Sequence, residues 1–179
     1  MIIVADTSPV NYLVLSGQID LAHTLYGTLL IPPAVHRELL DARAPAAVRE
    51  WLTTQPTWME VRSPQDTSRF TELGPGEREA TSLALETKAD ILLIDETAGR
   101  KIAVENDVPV KGTLGLLEEA DARRVADFDF PQALAKLRAT TIFLSEEIVQ
   151  DALKRHQDRH QEQHRNPEQT QQHDHEIER

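Results

Sequence analysis

The side chains of this sequence best placed to do chemistry are carboxylates. Asp6 closes the apolar run Ile2-Ile3-Val4, and Asp95 closes the run Ile91-Leu92-Leu93-Ile94. Two further acids stand at helix signals: Glu38, five residues into a helix that starts at Pro33, and Glu77, in the first turn after Gly74-Pro75-Gly76. Carboxylates brought to ~4 Å repel by ~4 kcal/mol per pair at an effective dielectric near 20. A gathered set of them is tolerable when one is protonated, or when a divalent cation lies between them, and the second solution suits three or four acids better. All-oxygen ligands with no cysteine in the chain favour Mg²⁺ or Mn²⁺ over Zn²⁺. Such ions activate water and stabilise charge developing on a phosphodiester.

The elements that must position these acids are short and alternate in type. Runs at Ile2–Val4, Thr28–Ile31, Thr57–Val61, Ile91–Ile94 and Val108–Val110 read as strands. Between and after them, Val10–Leu15, Ile19–Leu25, the stretch from Pro33 with Val35, Leu39 and Ala42 on its buried face, Ala46–Leu52, Gly74 to about Lys88, Ala98–Glu105 and Leu114–Arg123 read as helices. Ser63–Leu73 reads as a loop, and Phe130–Leu137 and Ser145–Leu153 as closing helices. Alternation of this kind predicts an α/β domain with a mostly parallel sheet. In an open parallel sheet the strand carboxyl ends face a common crevice, so Asp6 and Asp95 are expected to emerge together.

At 179 residues the chain has room for one domain and an appendage. We expect the domain to span 1–155, and 156–179 to form a polar Gln/His-rich tail, disordered or a frayed helix extension, because Ile177 is its one apolar residue. On such an extension His156, His160 and His164 would share a face at i, i+4, i+8. Absence of cysteine excludes disulfides, thiolate metal sites and a cysteine nucleophile. No apolar run approaches the ~20 residues of a membrane span. The opening Met-Ile-Ile-Val-Ala-Asp carries no signal-peptide pattern, so a cytoplasmic location is expected.

The net charge of −11, from 30 acids and 19 Lys plus Arg, opposes general polyphosphate binding. A nucleic-acid ligand would need local bases, and Arg78, Arg100, Lys101 and Lys111 fall near the predicted strand ends, where they could hold phosphates. Few aromatic residues are present for base stacking.

The ordered set Val4-Ala5-Asp6-Thr7-Ser8-Pro9, Ile31-Pro32-Pro33-Ala34-Val35 with Glu38-Leu39, Gly74-Pro75-Gly76-Glu77 with Glu79-Ala80, Leu92-Leu93-Ile94-Asp95-Glu96, and Val110 with Gly112-Thr113 and Gly115 resembles the PIN-domain family. More closely it resembles the small prokaryotic PIN-like subgroup of formerly unknown function that is related to VapC-type toxins. The resemblance covers about residues 1–155. It implies a three-layer α/β/α fold and a Mg²⁺- or Mn²⁺-dependent endoribonuclease, the toxin of a toxin–antitoxin pair. RNA is then the substrate and a cognate antitoxin a candidate partner; independently of the resemblance, the apolar C-terminal helices make a second copy of the chain a further candidate, and the short apolar runs leave no membrane partner expected.

Position by position, Asp6 corresponds to the family's first-strand aspartate and Glu38 to its helix glutamate. Glu77 falls on the third acid and Asp95 on the fourth. Glu96 is an accessory acid, and Ser8 matches a small polar residue that supports the first aspartate. Two positions depart from the pattern: Glu77 stands where many members have aspartate, and Leu93 where toxin members commonly have threonine. The competing reading is a noncatalytic acidic-pocket module, either a degenerate PIN scaffold or a receiver-like phosphoacceptor with Lys111 after a late strand. The apolar positions Leu134, Leu137, Ile142, Leu144, Ile148 and Leu153 either complete the domain core or clasp a partner.

Overall fold

A computed structural model describes residues 1–54 and 56–165. Its strands are β1 (Ile2–Ala5), β2 (Thr28–Ile31), β3 (Met59–Val61), β4 (Ile91–Leu93) and β5 (Val110–Lys111). Its helices, among the described residues, are α1 (Thr7–Leu15), α2 (Asp20–Tyr26), α3 (Pro33–Leu40), α4 (Ala46–Thr53), α5 (Pro75–Thr87), α6 (Thr97–Glu105), α7 (Thr113–Ala122), α8 (Phe130–Arg138) and α9 (Glu146–Arg165). The strands form one sheet in the order β3-β2-β1-β4-β5, parallel at every pairing. Helices cover both faces, as the exposed backbone faces of a parallel sheet require. The fold is thus α/β with an all-parallel centre, in agreement with the three-layer expectation.

Two apolar clusters hold the layers. On one side Ile3, Ala5, Leu29, Ile31 and Leu93 pack with Leu13, Leu116, Leu117, Phe130 and Leu134. On the other, Val4, Leu30, Leu92 and Ile94 pack with Ala80, Leu83, Ala84 and Ala103. Alternate residues of each central strand therefore feed opposite cores, which is the period-2 geometry of a sheet buried on both faces.

The boundaries differ from expectation where a specific interaction intervenes. The first helix begins at Thr7 rather than Val10, and Pro9 sits in its first turn, where a missing N–H costs nothing. The helix from Pro33 ends at Leu40, so Ala42 is exposed instead of buried. There Asp41 leaves the helical conformation (ψ 144°) and its Oδ1 accepts the Arg43 amide at 2.9 Å, a side-chain turn that competes with the helix. The last strand is Val110–Lys111 instead of Val108–Val110. Pro109 cannot donate, although its carbonyl accepts the Leu92 amide at 2.8 Å.

Of the closing apolar residues, Leu134 and Leu137 are buried and Ile142, Leu144 and Leu153 pack partly buried against the core, whereas Ile148 is exposed. Helix α9 continues through His156 and His160 to Arg165. The side chain of His164, and residues 166–179, lie outside the described part.

Candidate active site

The chain order reverses at the sheet's centre. From β1 it moves outward to β2 and β3, then returns to place β4 on the other flank of β1. The crevice beyond the carboxyl ends of β1 and β4 is therefore the topological switch point. Ala5 pairs with Leu93, and the Asp6 amide donates to the Leu93 carbonyl at 2.9 Å. The Ile94 amide donates to the Lys111 carbonyl at 2.9 Å. These pairings set Asp6 and Asp95 just past neighbouring strand ends.

Asp6 occupies the cap position of α1 but makes no side-chain capping bond, so its carboxylate is available to the crevice. The residue is only 4% exposed. Burial pushes its pKa up to about 7; the neighbouring Thr7 amide opposes the rise, and the charges of Glu77, Glu38 and Asp95 add to it.

Glu38 comes from α3. Its Oε2 accepts from the Thr7 hydroxyl and its Oε1 from the Gly76 amide at 3.2 Å. A Cβ on residue 76 would lie 2.8 Å from Glu38 Oε2, so glycine is what admits this approach. Glu77 reaches back so that Oε2 accepts the Gly74 amide at 3.1 Å, as an acid in the third helical position does. Its Oε1 is buried without a protein partner. Burial raises its pKa, partly opposed by Gly74 and reinforced by Glu96 and Glu38.

Asp95 is clamped by Thr113 at the start of α7. The Thr113 amide donates to Oδ1 at 2.7 Å and its hydroxyl to Oδ2 at 2.6 Å. Burial raises the Asp95 pKa against these bonds and the Arg100 charge.

Asp6, Thr7, Ser8, Tyr12, Glu38, Gly74, Gly76, Glu77 and Glu96 line one cleft of about 350 Å³. Asp95 stands beside it, near enough for its charge to act on Asp6. In this conformation no three of these acids bring oxygens within 4.8 Å of one another. Glu38, Glu77 and Asp95 are each tethered to a separate donor.

The bases divide. Arg100 donates to the Ile94 carbonyl at 3.0 Å and its charge acts on Asp95. Arg78 is instead spent on the carbonyls of Thr71 and Leu73, at 3.2 and 2.9 Å, which fasten the preceding loop. Lys101 pairs with Glu105 on the exposed side of α6 at 3.9 Å. Lys111 is bound to Glu119 and to Tyr26, in a cluster that Arg123 completes, and burial lowers its pKa. The structure thus brings Asp6, Ser8, Glu38, Glu77 and Glu96 together, sets Asp95 and Arg100 alongside, and directs Arg78, Lys101 and Lys111 elsewhere.

Sequence reasoning assigned no role to Thr7, Thr113 or Gly76. Each acts through an acid distant in the chain, and the Gly112-Thr113 pair before a helix was the one local signal. Leu93, at the position where toxin members commonly have threonine, is fully buried in the core, and hydroxyls reach the site from Thr7 and Thr113 instead.

The fold is thus a parallel α/β domain with a group of acids at its switch point. A family model described as DUF3368, PIN domain, matches residues 2–158, and the chain belongs to that family. Neither the curated proteins nor the solved structures gave a match. Among the described residues, no helix is long and apolar enough to cross a membrane.

Proposed function

We propose that the protein is a Mg²⁺- or Mn²⁺-dependent endoribonuclease that hydrolyses RNA phosphodiesters at the Asp6 cleft, with the role of toxin in a toxin–antitoxin pair. The observation that carries this reading is the cleft itself, where the buried Asp6 meets Glu38, Glu77 and Glu96, with Glu77 Oε1 buried beneath it without a protein partner. A buried, unpaired anionic oxygen is costly unless something positive meets it. The donor set is all oxygen, which fits a hard divalent cation.

Asp6, Glu38, Glu77 and Asp95 would hold the ion, with Glu96 as an accessory. When bound, the ion supplies an acidified water and charge stabilisation at the phosphoryl group. The chain's own contribution is positional. Thr113 orients Asp95, and Thr7 with the Gly76 amide orients Glu38. Arg100 is the one proposed phosphate contact left beside the acids, and Ser8 supports the wall next to Asp6. The toxin role, with a cognate antitoxin as partner, is supported by the ordered likeness of these motifs to VapC-type toxins. A receiver-like phosphoacceptor is disfavoured, because Lys111 is engaged with Glu119 and Tyr26.

The test is cleavage of a structured RNA by the purified protein with Mn²⁺. Asp6→Asn and Asp95→Asn, or EDTA, should each lower the rate by at least a hundredfold. Cleavage that survives both substitutions and chelation would overturn the assignment.

A further inference from the structure

A second group of ligands lies at the far end of α7 from Thr113, where α9 packs on it. Asp121 near the end of α7 is enclosed, with its side chain 5% exposed. Its Oδ1 lies 2.9 Å from His156 Nδ1 and 3.4 Å from His160 Nε2. The two imidazoles come from successive turns of one helix face, with ring centroids 4.4 Å apart. The ligand atoms of all three residues lie within 4.8 Å of one another. Donors around a tetrahedral ion with bonds of ~2.0–2.1 Å are separated by about 3.3 Å, so these spacings need little adjustment.

Two supports fix the arrangement. His156 stacks on Phe130, with centroids 5.3 Å apart, which sets its ring plane. Arg159 donates to Oδ2 of Asp121 through Nε at 2.9 Å and Nη2 at 2.6 Å, which orients the carboxylate and leaves Oδ1 to the histidines. A cavity of about 470 Å³ opens on the same residues, giving an entry path and room for a fourth ligand such as water.

We propose that Asp121, His156 and His160 form a binding site for a borderline transition ion of the Zn²⁺ class, which fastens α9 to α7. Two imidazoles and one carboxylate suit such an ion and discriminate against Mg²⁺, whose preference is six oxygens. The ion takes the place of the proton between imidazole and carboxylate, while Arg159 remains on the opposite oxygen. This site is separate from the Asp6 cleft in both position and ligand chemistry, and it stands whether or not the nuclease reading does.

The experiment is a Zn²⁺ titration by calorimetry on the full chain with His164, His173 and His175 changed to alanine, which removes the other histidines of the C-terminal stretch. One equivalent should bind, unaffected by a hundredfold excess of Mg²⁺, and should raise the melting temperature. His160→Ala removes a half-exposed ligand without disturbing the core and should weaken binding at least tenfold. The Co²⁺ form should show visible tetrahedral absorption that His160→Ala and His156→Ala each abolish, with helicity checked by circular dichroism. Uptake that disappears with the three substituted histidines, that is unchanged in His160→Ala, or that yields to Mg²⁺ would overturn the site, as would no uptake.

Discussion

At Asp6 the fold holds a carboxylate in a place that water barely reaches, and the consequence is a proton. An ordinary aspartate releases it near pH 3.8, whereas here burial, with the acids around it, moves the pKa to about 7. Between those values the folded chain binds a proton that the unfolded chain has lost. Stability of the metal-free protein should therefore fall as pH rises from about 4 through 7 and level off above. The upper bound is about 4 kcal/mol for three pKa units. Asp6→Asn should remove that slope and be the more stable protein at pH 8, as denaturant unfolding in EDTA at pH 5 and pH 8 would show. An unchanged slope would place the raised pKa elsewhere.

Thr113→Val tests the clamp on Asp95. Thr113 is fully buried, and the isosteric change strips one bond from Oδ2 while leaving the amide bond to Oδ1. A loss of about 1–3 kcal/mol is expected in thermal unfolding, together with reduced RNA cleavage. These partners explain what could be read from the chain alone. An acid after an apolar run announces itself, so Asp6 and Asp95 were legible. The hydroxyl that meets Asp95 is 18 positions away, and the one that meets Glu38 is 31 away. The Gly112-Thr113 pair ahead of a helix is a local signal for the first residue, but nothing in its neighbourhood says that it meets Asp95, and nothing says that Thr7 meets Glu38.

Among the elements, glycines in the first turns of α5 and α6 decide how closely these helices approach the cleft. A Cβ on residue 76 meets the far end of Glu38, at 2.8 and 2.9 Å from its two oxygens. Gly76→Ala should cost less than about 1 kcal/mol, since a flexible side chain can swing aside, yet divalent-cation affinity should weaken as Glu38 leaves. At Gly99 a Cβ would strike Ile94, a core residue just after β4, and lie 3.1 Å from Glu77 Oε1. Gly99→Ala should therefore lower stability by about 1–3 kcal/mol through overpacking. Paired measurements of melting temperature and Mn²⁺ affinity on the two variants would separate these effects. Strand positions were readable because both faces of a parallel sheet are apolar, which leaves short uninterrupted runs. Element ends were less so: the close of α3 depends on the Asp41 side-chain turn, and the length of β5 on which group of Pro109 can pair.

For the whole molecule, an excess of acids that should repel RNA is partly concentrated where a cation can offset it, at the reversal of strand order beside β1. The parallel α/β class follows from the sequence's alternation of strand and helix, and membership of the PIN-domain family agrees with it. The packing of α9 was harder to foresee. Its first turns carry apolar residues that reach the core, Val149, Ala152 and Leu153, but beyond them it is held by Arg159 and His156 on Asp121 of α7 and by His156 on Phe130 of α8, contacts that no apolar stripe marks.

The most direct test is a crystal soaked in Mn²⁺ and measured for its anomalous signal. The account predicts a peak bridged by Asp6, Glu38, Glu77 and Asp95, absent from crystals of Asp6→Asn. Crystals in which that cleft stays free of Mn²⁺ at saturating concentration, or in which these four side chains point away from a bound ion, would contradict it.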